Sequence, residues 1–386
     1  MNKKLIAVAL AALPVAHAMA DVTIYGTIAA DIQNGKTYDG QASSGKKSAT
    51  RIDDAGSSIG FKGTEDLGNG LKAIWQVEQG LNIDGTSGGS SANYYSGNLA
   101  TRDSFVGLQG SFGKVRLGRL STFQNSDTET YDAWTYGGNA DKTVAGMTYM
   151  SGNQLDGRHN NAIRYDLPEV VAGLSGAVLY SADENRSTGT NGARTNTQFW
   201  SLGAAYTNSG FFVNGGYNNY GDNVYENGAY HSGNYWRLEA GYQANNILAS
   251  VFYGRSKLNG VNTLVNGSDD GTDQTFSAFT TSGDKLFAVQ DLKKKEAGFT
   301  VGYTIGAITP KFSYGRVWGA NVTSAAGVES SVSGHLNQYV LGADYALSKR
   351  TTAFAAYGYV QNSYVDQNNN KYNNEHTLAV GVQHKF

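Results

Sequence analysis

Three residue patterns in this chain could do chemistry. Gly56-Ser57-Ser58-Ile59-Gly60 has the G-x-S-x-G spacing that presents a serine nucleophile. That chemistry needs a sharp strand-to-helix turn and triad partners. Here the pattern lies in an alternating strand with no helical pattern after it, so no catalytic site is expected. Asp269, Asp270, Gly271 and Asp273 suggest a calcium loop, but the ligand spacing and terminal glutamate of an EF-hand are missing. No two of His159, His231, His335, His376 and His384 have metal-site spacing. With no cysteine there are neither disulfides nor thiolate metal sites, and no cofactor is expected. The third pattern is electrostatic. Strand alternation puts Arg102 on the inner face with Ser104, because Phe105 and Gly107 take the outer face. It puts Arg116 inward between Val115 and Leu117, and Arg158, Asn160, Ala162 and Arg164 inward opposite Ile163 and Tyr165. Lys62 follows Ser58 and Gly60 on the same side. Four arginines and a lysine along one wall of a narrow, partly desolvated passage would act on charged solutes.

Strands must position those side chains, and the chain reads as strands almost throughout. Val22, Ile24, Gly26, Ile28, Ala30 and Ile32 alternate with Thr23, Tyr25, Thr27, Ala29 and Asp31. That is period two over a length able to cross a membrane as a tilted strand of about 9–11 residues. Leu71, Ala73, Trp75 and Val77 oppose Lys72, Ile74, Gln76 and Glu78. Later hairpins repeat the pattern: Trp200 to Tyr206 returns through Phe211 to Tyr217, and Trp236 to Tyr242 returns through Ile247 to Tyr253. Short connections alternate with long polar ones at residues 183–197, 219–233, 257–294 and 362–374. Short turns on one side and long loops on the other are the asymmetry of an outer-membrane barrel. Counting this way predicts 16 strands. Tyr206, Phe211, Tyr242, Tyr303, Tyr345 and Phe386 recur beside the short turns, as expected of an aromatic girdle at a membrane interface.

The ends and the composition agree. Lys3 and Lys4, the apolar residues 5–15 and Ala18-Met19-Ala20 read as a signal peptide cut after Ala20, leaving residues 21–386 as one domain. Removing the two lysines from 30 basic residues leaves 28 against 32 acids, a formal charge of −4, which is no nucleic-acid footprint. Only 16% of residues are charged, and no second apolar run is long enough for a membrane helix. A barrel with lipid outside and water inside fits that balance.

Several blocks together resemble the Gram-negative general-diffusion porins, especially the β-proteobacterial branch. They are VTIYG at 22–26, SSIGFKGTEDLGNGLKA at 57–73, RDSFVGL at 102–108, FGKVRLGR at 112–119, YVLGADYALSKR at 339–350 and VGVQHKF at 380–386. The resemblance implies an all-β, 16-stranded antiparallel transmembrane β-barrel in the outer membrane, assembled as a homotrimer. It also implies a long third loop folded into the pore, here residues 121 to about 157, carrying Asp127, Glu129 and Asp132. Opposite that loop the family places a ladder of arginines, and Arg102 and Arg158 match two of its positions. The third usual arginine falls at Ser58. Residues 82–99 would be a second loop that latches onto a neighbour, and the terminal Phe386 would be the insertion signal. The implied function is a water-filled channel for passive diffusion of small hydrophilic solutes and ions, with a weak preference for anions. A substrate-specific channel for a sugar or an anion is the alternative. It would need an ordered inner track of aromatics, and Tyr25 and Tyr235 are too scattered for one.

Overall fold

The computed structural model describes residues 21–36, 48–85, 99–128, 133–134, 157–182, 198–226, 229–259, 289–324, 329–331, 334–363 and 374–386. Among them, eighteen strand segments form one sheet. Two pairs of segments are single strands, each interrupted by one extra residue. Ala49–Asp54 and Ser58–Gly68 both pair with Asp21–Lys36; from Asp54 to Ser58 the chain takes four steps while its partner takes three, from Ala30 to Thr27. Glu329–Ser331 and His335–Ala346 both pair with Ile308–Ser324 in the same way. Such bulges bend a strand without ending its ladder.

The eighteen segments therefore make sixteen strands. They are β1 (Asp21–Lys36), β2 (Ala49–Asp54 with Ser58–Gly68), β3 (Leu71–Gly80), β4 (Ser104–Gly110), β5 (Gly113–Ser121), β6 (Arg158–Asp166), β7 (Leu174–Ser181) and β8 (Phe199–Asn208). The second half holds β9 (Phe211–Glu226), β10 (Ala229–Ala244), β11 (Ile247–Asn259), β12 (Val289–Tyr303), β13 (Ile308–Ser324), β14 (Glu329–Ser331 with His335–Ala346), β15 (Thr351–Asn362) and β16 (Glu375–Lys385). One short helix, α1 (Phe123–Ser126), follows β5. Each strand pairs antiparallel with its neighbours, and β1 pairs with β16 from Thr27↔Lys385 to Lys36↔His376. The terminal residue finishes the seam, Gly26 and Phe386 exchanging backbone hydrogen bonds of 3.1 Å. A sheet closed on itself has no edge, so no backbone group of the wall faces lipid unpaired. The expected sixteen-stranded antiparallel barrel is borne out.

The alternation has a physical sense. Leu341 is 60% exposed and its neighbour Val340 is 0% exposed, because one faces outward and the other inward. Val22, Ile24, Ile28 and Ile32 give β1 the same greasy outer face. The short turns hold left-handed residues, Asn245 and Asn246 between β10 and β11, and Ser209 and Gly210 between β8 and β9. Two consecutive residues with positive φ match the right-handed twist of the strands they join. No helix among the described residues is long and apolar enough to cross a membrane. The crossing is made by strands.

One expected loop is different. Residues 219–233 are mostly strand: β9 and β10 continue their ladder through Tyr220↔Gly233 and, after a register shift, through Val224↔His231 to Glu226↔Ala229. Val224, Tyr225 and Tyr230 favour extended backbone, which outweighs the asparagines and glycines that suggested a loop. Residues 1–20, 183–197 and the aspartates at 269, 270 and 273 lie outside the described residues.

Candidate pore constriction

The segment after β5 turns into the barrel at once. Thr122 caps α1, its hydroxyl accepting the Asn125 N–H at 3.2 Å. Phe123 then lies on Gly203 of β8, and Gln124 on Gly216 of β9, donating to the Gly216 carbonyl at 3.2 Å and accepting from Asn218 at 2.8 Å. Gly203 follows the outward Leu202, so it faces inward. A Cβ on Gly203 would meet the Phe123 Cβ at 2.5 Å, and one on Gly216 would meet the Gln124 side chain at 2.5 Å. Glycine is needed at both places for the helix to sit this close to the wall.

Arg164 of β6 fixes the helix end. It is 1% exposed. Its guanidinium donates to the Ser121 carbonyl at 2.8 Å, to the Ser126 hydroxyl at 2.8 Å and to Asp127 at 2.5 Å. It also pairs with Asp166 at 2.8 Å, and Asp166 takes the Arg116 guanidinium through both oxygens at 2.7 and 2.8 Å. Asp127, Arg164, Asp166 and Arg116 thus form one chain of alternating charge from loop to wall.

The same loop meets the far wall a few residues later. Trp134, 2% exposed, packs with Phe252 of β11, Val340 of β14, Ala356 of β15 and Ala379 of β16. Its indole N–H donates to Ser313 at 2.8 Å. Lys311 of β13 lies over the Trp134 ring at 4.6 Å, donates to the Ala133 carbonyl at 2.6 Å and pairs with Asp344 at 2.8 Å. The neighbours of these wall residues, Val251, Leu341, Tyr357 and Val380, are exposed outward, so Trp134 is inside the barrel. Five residue steps separate Thr128 from Ala133, at most about 18 Å of chain.

Nearer the loop end of the barrel, Tyr25 of β1 donates to Glu78 of β3 at 2.8 Å. Arg102 pairs with the same carboxylate. Lys62 lies over the Tyr25 ring at 4.9 Å. Asp103 takes Arg158 at 2.8 Å and the Ser121 hydroxyl at 2.6 Å.

The expected cations are therefore gathered on β2 to β6, but at two levels. Arg116 pairs across the ladder with Arg164, and Ser121 with Arg158, five residues further along β5. Alternation mispredicts two routes. Val106 is 60% and Leu108 43% exposed, so Phe105 and Gly107 face inward, and Ser104 does not share an inner face with Arg102. Residues 101–103 bend before the strand starts, and Arg102 reaches Glu78 through that bend. In β6 the ladder slips between Gly118 and Leu120, and Asn161 is left-handed at φ 52°. That slip buries His159 against Phe199, with ring centroids 3.6 Å apart, and leaves Asn160 exposed and bound to Arg119. Asn160 is thus not on the inner face with Arg164, and the contact with Asp103 places Arg158 where alternation cannot. Glu129 and Asp132 lie outside the described residues.

The wall carboxylates Glu78, Asp103 and Asp166 were missed as partners of the arginines. Glu78 was legible, since alternation already puts it on the inner face of β3; Asp103 sits in a bend and carries no periodic signal. Trp134 had no signal beyond being an aromatic in a polar segment. The serine of the G-x-S-x-G pattern, Ser58, is buried in the β2 ladder between Thr27 and Gly80, and the hydroxyl of its neighbour Ser57 accepts the Ala29 N–H at 3.0 Å across the β2 bulge.

A sixteen-stranded barrel with residues 122–128 packed on one inner wall and Trp134 on the other invites comparison with known proteins. A family model described as Gram-negative porin matches residues 6–365. The chain belongs to the Gram-negative porin family. This porin is 36% identical, over 392 residues and all of both chains, to the major outer membrane protein P.IB of Neisseria meningitidis serogroup B, serotype 15. Its fold is similar to that of an anion-selective porin from Comamonas acidovorans, with TM-score 0.68, 21% identity, 95% of this chain and 100% of that one covered. It is also similar to the trimer form of OmpT from Vibrio cholerae, with TM-score 0.55, 14% identity, and 95% and 99% covered. The porin is an outer-membrane channel for passive diffusion of small hydrophilic solutes and ions.

Proposed function

We propose that the loop between β5 and β6 forms the narrowest part of this channel and makes it a weakly selective, size-limited pore. The observation that carries the reading is the double attachment of that loop, at Arg164 on one wall and at Trp134 on the other. The charge balance supports weak selectivity. Lys62, Arg102, Arg116, Arg158 and Arg164 count five positive charges, and Glu78, Asp103, Asp127 and Asp166 four negative. Glu129 and Asp132 would bring the acids to six. The anion preference expected from a bare arginine ladder is weakened accordingly, because each arginine has a carboxylate against it.

Two further readings accompany this one. The chain works as a homotrimer whose residues 82–99 latch onto a neighbouring barrel, in line with the trimer form of the Vibrio relative. Residues 1–20 direct export and are cleaved after Ala20. Liposome swelling with neutral sugars of graded size tests the diffusion reading. Swelling rate should fall smoothly as sugar size rises. Rapid entry of one sugar among others of equal size would instead mark a substrate-specific channel.

A further inference from the structure

Three carboxylates outside the constriction network meet on the inner wall, towards the loop end of β1 and β2. Asp31 of β1 is directly opposite Asp53 of β2 in the ladder. Their neighbours Ile32 and Ile52 are exposed outward, so both aspartates point into the barrel, where Asp31 is 2% and Asp53 7% exposed. The chain leaves β3 at Gly80, and the Leu81 N–H donates to the Ser57 carbonyl at 2.9 Å, which keeps the segment against β2. It then turns at residues 83 and 84, and Asp84 comes back to share a hydrogen bond with Asp53. The charged groups facing Asp53 are Asp31, Asp84 and one cation, Arg51. Asp54 is occupied elsewhere, accepting the Gly56 N–H at 3.0 Å and the Ser57 N–H at 3.1 Å.

Like charges directly opposite in a ladder repel, and the surroundings here screen them poorly. Ala29, Ala55 and Phe354 of β15 form an apolar cluster. A Cβ on Gly381 of β16 would meet the Phe354 ring at 2.4 Å and the Asp31 Cβ at 2.7 Å, so the ring and the aspartate stem lie over one glycine. The carboxylates are also short of donors. Gln33 is 0% exposed and gives its amide N–H to Asp31 at 3.0 Å, while its amide oxygen has no hydrogen-bond partner among the described residues. One oxygen of Asp53 is equally bare. Buried acceptors with nothing to accept are costly. Two carboxyl groups hydrogen-bond each other only through a proton that one of them carries. Among the described residues no three carboxylates or imidazoles are placed to hold a metal ion. A proton supplies what is missing, because it removes one negative charge and adds one donor.

We propose that Asp31, Asp53 and Asp84 hold a shared proton, and that this proton fastens the segment after β3 to the inner wall at the mouth of the channel. With the proton bound, one carboxyl donates and Asp84 stays on Asp53. Once it leaves, three carboxylates face one arginine, Asp84 is repelled, and the wall at this mouth gains a negative charge. Attachment is therefore present at lower pH and lost as pH rises. The three groups titrate as one unit rather than as separate residues. The device lies within one chain and does not depend on whether residues 82–99 reach a neighbouring barrel.

The test is hydrogen exchange of the purified porin in detergent, read at the Leu81 amide from about pH 5 to about pH 9 and expressed against the intrinsic rate at each pH. Protection in the wild type should fall by about tenfold or more across that range, as expected when opening releases a proton. Asp53→Asn keeps the shape and donates with no proton to lose, so its protection should stay high and flat. The Thr304 amide, which donates to the Asn246 carbonyl at 2.8 Å at the short-turn end of the barrel, should keep its protection in both proteins. Wild-type protection that does not change with pH, or an equal fall in Asp53→Asn, would overturn the proposal. A change on adding EDTA at fixed pH would overturn it as well, because the counter-charge would then be a metal ion. Should Asp53→Asn fail to fold, Asp84→Asn, on the segment rather than in the wall, should give the same flat profile. A fall in Asp84→Asn equal to that of the wild type would count against the shared proton.

Discussion

Arg164 holds Asp127 at 2.5 Å while its own side chain is 1% exposed, so the first turn of the crossing loop is fixed to β6 by a buried charge. Removing a buried partner leaves the other charges uncompensated, which costs about 3–5 kcal/mol. Arg164→Met should leave Asp166 to Arg116 alone, take the ion pair from Asp127 and free the loop start. Thermal unfolding in detergent should then occur at a lower temperature than in the wild type. Asp127→Asn should have a smaller effect, because Asp127 is partly exposed and its share of the pair is screened. Equal unfolding temperatures for Arg164→Met and the wild type would remove the clamp from this account.

Trp134 is the other attachment. Truncating a buried aromatic to alanine costs about 3–5 kcal/mol in local packing, and here it also removes the ring beneath Lys311. Trp134→Ala should leave the barrel closed and release the loop from the β11–β16 wall. Single-channel recordings should show larger current fluctuations and a raised mean conductance. Quiet, wild-type currents would mean that the loop does not depend on this contact.

Phe386 completes the seam between β16 and β1, and its ring fills the space over Gly26. Leu378, Val380, Val382 and Phe386 lie outward together on the last strand. Deleting Phe386 should lower the amount of folded protein in the outer membrane, with the surviving channels conducting normally. Surface levels equal to the wild type would reduce Phe386 to one ring of the girdle.

The barrel was legible because burial of one face imposes period two, and sixteen repeats of that signal outweigh local ambiguity. Alternation is blind wherever the backbone leaves it. It misplaced Ser104 because Val106 and Leu108 are as apolar as Phe105 and Gly107, so alternation left the phase of β4 open, and it misplaced Asn160 because Asn161 adopts a left-handed conformation beside a register shift. The 219–233 hairpin was read as loop because asparagine and glycine mark turns more strongly than tyrosine marks strand. The opposed charges were half legible. The arginines could be found by face, but their carboxylates Asp103 and Asp166 became partners only through cross-strand geometry, and Trp134 meets residues some 120 to 245 positions away along the chain.

The central claim is that paired charges on β2 to β6 line the passage and set its ion preference. The most direct measurement is the reversal potential across a bilayer with unequal KCl on its two sides, for the wild type, Arg102→Glu and Glu78→Gln. Arg102 and Glu78 are in contact, so the two substitutions change one locus in opposite directions. Arg102→Glu should move the potential towards cation preference and Glu78→Gln towards anion preference. The shifts should be largest near 0.01 M salt, where the Debye length is about 30 Å, and small at 1 M, where it is about 3 Å. Potentials unchanged from the wild type in both variants at low salt would contradict the account, because charges that line the passage could not be altered without effect.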